Sequence, residues 1–134
     1  GARHWYERAA AVGDTDAMAN LGLLLSTQWD PPDLAGARHW YERAADDGGH
    51  TGAMTNLGNL LADRWDPPDL PGARHWYERA AAVGDTDAMA NLGLLLSTQW
   101  DPPDLAGARH WYERAAAVGD TDATANLGDR PRTT

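Results

Sequence analysis

Four histidines, His4, His39, His75 and His110, recur at intervals of 35 or 36 residues. Histidine is a common metal ligand and proton carrier, so a repeated histidine raises the question of a metal centre. If each interval folds as one helix pair, equivalent positions lie roughly 20 Å apart, given helix spacings of about 8–10 Å. Zinc needs its ligands about 2 Å from the metal. The four rings therefore cannot share an ion, and they read as a solvated outer row. His50 stands alone in a divergent segment and carries no pattern. Asp14 and Asp16, repeated as Asp85 and Asp87, resemble the start of a calcium loop, but the later ligands and the bidentate Glu are missing. They read as helix caps. No Ser/His/Asp set, phosphate-binding glycine loop or paired catalytic carboxylate stands out, so the sequence points to no enzyme, no metal and no cofactor.

Recognition chemistry is better represented. Asn20, Asn56, Asn91 and Asn126 occur once per interval, and Asn59 adds a second amide in one of them. An amide both donates and accepts, so a ladder of amides can hold an extended peptide backbone whatever its side chains. The competing role is a hydrogen bond that sets the geometry between neighbouring helices. Asp16, Asp87 and Thr55 complete the expected wall, which is small and mildly acidic and suits a basic or neutral peptide. Trp29, Trp65 and Trp100 each precede Asp-Pro-Pro. They read first as staples against the proline rings, and second as an aromatic ridge for a partner, since Trp is enriched at binding hot spots.

The element that must position these residues is an internal repeat, the first thing to seek in such a chain. Residues 1–35 and 72–106 are identical at all 35 positions. Residues 36–71 form a diverged copy with one extra residue, placed where DDGGHTG (46–52) replaces AVGDTD (11–16). Residues 107–128 repeat the first 22 positions with one change, Thr124 for Met18, and 129–134 form a tail. The reading is one solenoid domain over 1–128. The chain opens in mid-repeat, which reads as a piece of a longer array.

Each repeat carries two helical patterns. The first spans about Pro31–Ala45, with Asp30 as N-cap, Pro31 in the first turn and Leu34, Ala37, Tyr41, Ala44 and Ala45 on one apolar face. Gly48, or Gly13 and Gly84 elsewhere, would end it. The second spans about Thr15–Thr27, capped by Asp14, with Ala17, Met18, Leu21, Leu24 and Leu25 buried. Gly22 sits inside it and recurs as Gly58, Gly93 and Gly128. A glycine there costs about 1 kcal/mol against alanine, so its repetition predicts a close neighbour. Arg3, Arg38, Arg74 and Arg109 face Glu7, Glu42, Glu78 and Glu113 four residues on, in the weaker order for a helix.

A lone helical hairpin cannot bury its apolar face, whereas stacked hairpins can. The fold expected is all-α, a right-handed α-solenoid of about eight helices. Composition narrows the partners. The net charge is −9, with 11 Arg, no Lys and 20 acidic residues, which disfavours nucleic acid. There is no apolar run long enough to span a membrane. Cysteine is absent, which removes thiolate chemistry and disulfides.

The segment Asn56–Leu61, NLGNLL, resembles the N-L-G signature of tetratricopeptide repeats. Ala37, Trp40, Tyr41, Arg43, Ala44, Ala45 and Gly48, followed by Ala53, Asn56, Leu57, Gly58 and Leu60, resemble Sel1-like repeats more specifically, about four times over. Leu25, Leu61 and Leu96 depart from that pattern by replacing the usual aromatic, and W-D-P-P replaces a glycine-rich link. The resemblance implies a non-enzymatic scaffold that binds a peptide or protein segment on a concave face lined by the N-L-G helices. The uniformity of three copies suggests an alternative, a self-assembling structural protein whose partners are copies of itself, stacked into filaments or tubes. A regulatory domain cut from a larger enzyme is a third, weaker reading.

Overall fold

The computed structural model describes residues Gly1–Val118, and its elements in order are seven helices. They are α1 (Ala2–Ala11), α2 (Thr15–Leu23), α3 (Leu34–Gly48), α4 (Thr51–Asn59), α5 (Leu70–Ala82), α6 (Thr86–Leu94) and α7 (Leu105–Ala117). No strand occurs among the described residues. The eighth expected helix, with Asn126 and Gly128, lies outside them. The chain divides into two compact units, Gly1–Asp69 and the part from Leu70 onward.

In the first unit, α2 packs against both α1 and α3, and α3 against α4. Most of the predicted stripes are core: Ala17, Met18, Leu21 and Leu25 are buried, as are Ala37, Tyr41, Ala44 and Ala45, whereas Leu24 and Leu34 are only half-buried. In the second unit α6 packs against α5 and α7, with Met89, Leu92, Leu96, Ala115 and Tyr112 buried. The intra-helix glycines meet an aromatic ring. A Cβ on Gly22 would come within 2.7 Å of the Tyr41 ring, and one on Gly93 within 2.7 Å of Tyr112. The neighbour predicted by that glycine is thus a tyrosine side chain on the next helix.

Three local expectations change. The helix after the link starts at Leu34, not Pro31, and its cap is Asp33, whose carboxylate accepts from Gly36 N at 2.8 Å. Asp30 and Pro31 stay in the link, joined by a cis peptide bond, as are Asp66–Pro67 and Asp101–Pro102. The link is drawn back by Asp33 N, which donates to the Leu25 carbonyl at 2.8 Å, so the Pro residues cannot enter the helix. Second, the N-L-G helices end in π-turns, Leu24–Gln28, Leu60–Arg64 and Leu95–Gln99. Each is closed by a link tryptophan whose N–H bonds back five residues, as Trp29 N does to Leu24 O at 2.9 Å. Third, α3 runs through Gly48, and Gly49 at φ +60° makes the turn. The extra residue of this repeat therefore lengthens α3, and Gly48 lies where a Cβ would collide with Thr15.

Candidate functional site

The sequence-predicted residues fall on three kinds of surface. Asn56 and Asn59, one turn apart on α4, are half-buried. They line a cleft of about 160 Å³ with Leu23 at the end of α2, Ser26 and Thr27 of the following π-turn, Tyr41, and Leu60, Asp63 and Arg64. Asn20 is exposed on α2, and Asn91 is half-buried on α6 in the second unit. Asn126 lies outside the described residues. Thr55 is buried and donates to the Thr51 carbonyl at 3.3 Å, so its hydroxyl is turned to its own helix. Asp87 is exposed in the first turn of α6. Asp16 is the acceptor of a contact from His50, with 3.0 Å between its Oδ1 and the ring Nε2.

The cleft has two unlike walls. One is the apolar side chain of Leu23, 45% exposed. The other is polar and belongs to the diverged repeat, where Asn59, Asp63 and Arg64 stand in place of Leu23, Thr27 and Gln28. At its floor Tyr41 is buried, and burial pushes its phenol above the usual tyrosine range. A hydrogen bond with Ser26 and the positive charge of Arg64 pull the other way but do not overcome it. Ser26 also donates to the Leu23 carbonyl at 3.2 Å, and Thr27 to the same oxygen at 2.6 Å. These bonds hold the π-turn, and so the rim, in one shape. The second unit repeats the floor: Tyr112 is raised by burial and bonded to Ser97.

Each link tryptophan carries an arginine over its ring. The guanidinium of Arg3 lies 4.5 Å from the Trp29 ring centre, that of Arg38 4.8 Å from Trp65, and that of Arg74 4.7 Å from Trp100. Arg38 also reaches Glu42 at 3.5 Å and Asp69 at 3.7 Å, and Arg74 reaches Glu78 at 3.4 Å and Asp104 at 3.8 Å. One arginine thus ties its own helix to the tryptophan ring and to an aspartate of the same link. The sequence carried a signal for this: Arg and Trp recur 26 or 27 residues apart in three repeats. The four outer histidines are exposed, each edge-on to the tryptophan that follows it. No cluster of metal-ligating side chains occurs among the described residues. No described helix is long and apolar enough to cross a membrane.

His50 has a role that the sequence pattern did not reveal. It caps α4, its Nδ1 accepting from Ala53 N at 3.0 Å, where Asp14 and Asp85 cap the equivalent helices. The signal was positional: His50 holds the place of Asp14 once the extra residue is allowed for.

Comparison with known proteins agrees with this architecture. Over 95% of the chain it is similar to c5321, a protective antigen of uropathogenic Escherichia coli with an SLR fold, at 27% identity and a TM-score of 0.84. It is likewise similar to a Sel1 repeat protein from Oxalobacter formigenes, at 31% identity and a TM-score of 0.79 over 95% of the chain. The chain spans 28% and 53% of the lengths of those two proteins. No curated protein matches the sequence. The Sel1 repeat profile matches four times, over residues 2–14, 15–49, 51–85 and 86–120. The chain therefore belongs to the Sel1 repeat family, and its fold is the all-α solenoid of that family.

Proposed function

We propose that this chain is a non-enzymatic interaction module that holds an extended peptide or protein segment across the cleft between α2 and α4. Sel1 repeat proteins generally act as protein-interaction scaffolds. The observation that carries the finer reading is the asymmetry of the cleft. Its apolar wall is shared with other repeats, while Asn59, Asp63 and Arg64 are peculiar to one. A site that reads one partner needs such variation, and amides on one helix face can hold a backbone while Leu23 and Leu60 cover an apolar side chain. The test is selection of displayed random dodecapeptides on the full chain. Selected peptides should lose at least about tenfold in affinity for Asn59→Leu, which installs the residue of the first and third repeats. A tenfold loss corresponds to about 1.4 kcal/mol. Equal binding to Asn59→Leu and Asn56→Ala, or no selected peptide, overturns the assignment.

A second reading, self-association, is favoured by the identity of residues 1–35 and 72–106, since a building block needs uniform parts. Sedimentation velocity over a hundredfold concentration range separates it, because a constant monomer excludes it for this chain.

A further inference from the structure

His50 holds both of its ring nitrogens in defined contacts. Nδ1 accepts from Ala53 N at 3.0 Å, and Nε2 lies 3.0 Å from Asp16 Oδ1. The first contact requires a lone pair on Nδ1, and the second requires the proton on Nε2. This is neutral imidazole in a single tautomer. The other inner helices use a carboxylate at this place, Asp14 for α2 and Asp85 for α6, with a further acid, Asp16 or Asp87, in the first turn. The first turn of α4 has no acidic residue. Its cap is therefore an imidazole, a base that can take up a proton, where the other inner helices use a carboxylate.

We infer that His50 makes the start of α4, and through it the Asn56 and Asn59 wall of the cleft, sensitive to acid. A proton on Nδ1 turns the acceptor into a donor facing the Ala53 N–H, and the new positive charge sits at the positive end of the helix dipole. Both effects oppose capping. The charged groups around the ring act in the other direction. Asp16 on α2 faces Nε2 and attracts the imidazolium, but its side chain is 83% exposed, so water screens the attraction. Asp46 and Asp47 close α3 just before the turn, and Asp47 is occupied by Arg43 at 3.5 Å. Acid thus tightens His50 onto α2 while it releases the first turn of α4. Asn56 follows that turn directly, so the polar wall loosens where the apolar wall does not. The regulatory meaning rests on the binding role proposed for the cleft. The release of the helix start does not.

Amide exchange of the full chain at pH 7.5 and pH 5.0, corrected for the intrinsic pH dependence of exchange, tests the release. Protection of the Ala53–Thr55 amides should fall about fivefold at the lower pH, the typical worth of an N-cap. His50→Asn keeps a capping side chain that does not titrate there, and its protection should stay constant. Unchanged protection in the unsubstituted chain overturns the inference, and so does an equal fall in His50→Asn. Affinity for a selected dodecapeptide, measured at the same two pH values, adds the second readout. A fall in protection with no fall in affinity keeps the acid-sensitive cap and removes the cleft as its target.

Discussion

The two units of this molecule are made of the same parts with one difference in the middle. In each, a tyrosine ring lies on a glycine of the preceding helix, Tyr41 on Gly22 and Tyr112 on Gly93. In each, an arginine covers a link tryptophan and also reaches an aspartate farther along the same link. Among the described residues, only the first unit has the lengthened α3, the histidine cap and the Asn59, Asp63 and Arg64 wall. In the second unit Leu94, the counterpart of Asn59, is 51% exposed. The shared parts are those that packing between successive helices requires. The differences are gathered on a turn and along one side of a cleft, positions that packing leaves open to change. That separation is the basis for the binding role proposed for the cleft.

The largest test of the shared part is Gly22→Ala with Gly93→Ala. A Cβ at either position meets a tyrosine ring, and overpacking of that kind costs about 1–3 kcal/mol. Helix propensity returns about 1 kcal/mol, so each variant should lose up to about 2 kcal/mol in urea unfolding. A loss at only one site would break the equivalence of the two units.

A smaller effect should separate engaged from surface arginines. Arg38 combines a ring contact with two carboxylates, whereas Arg109 is 62% exposed beside Glu113. Arg38→Ala should cost about 1 kcal/mol, a typical cation–π contribution with weak ion pairs added. Arg109→Ala should cost less than about 0.5 kcal/mol, and thermal melts of the two variants make the comparison.

The smallest effect is spectroscopic. Burial raises the phenols of Tyr41 and Tyr112 above their ordinary value of 10.0. A raised value in the folded state means that the neutral form is favoured there. Its contribution to stability is complete below pH 10 and is lost as pH rises through the folded value. Absorbance at 295 nm during an alkaline titration should therefore show a late-ionising fraction that shrinks in Tyr41→Phe and again in Tyr112→Phe.

Much of the fold was legible because its signals are local and repeated. The apolar spacing of Ala37, Tyr41, Ala44 and Ala45 marks a buried face whether or not its partner is known. Asp14 could be read as a cap because capping is settled within one turn. Where two local signals competed, the outcome depended on distant atoms. Asp30-Pro31 and Asp33 are both sound helix starts, and the bond from Asp33 N to Leu25 O decided for the second. Gly48 and Gly49 are both sound stops, and the approach of Thr15 to Gly48 accompanies the later one.

The site was legible in part. Asn56 and Asn59, which line the cleft, could be picked out together from amide chemistry and helical spacing. Leu23, Tyr41 and Arg64 join them only through the packing of α2, α3 and α4, which no periodicity contains. The arginine clamps were easy to miss because their tryptophan partners lie 26 or 27 residues on, and the i,i+4 glutamate offered a nearer partner. The residue order thus settled the helices, their buried faces, the repeat and the family, since these rest on short-range sterics and on recurrence. Which side chain meets which across neighbouring helices, Arg38 on Trp65, Tyr41 on Gly22 and His50 on Asp16, was decided by tertiary structure, because contact distances of a few ångströms exist only once the helices are docked.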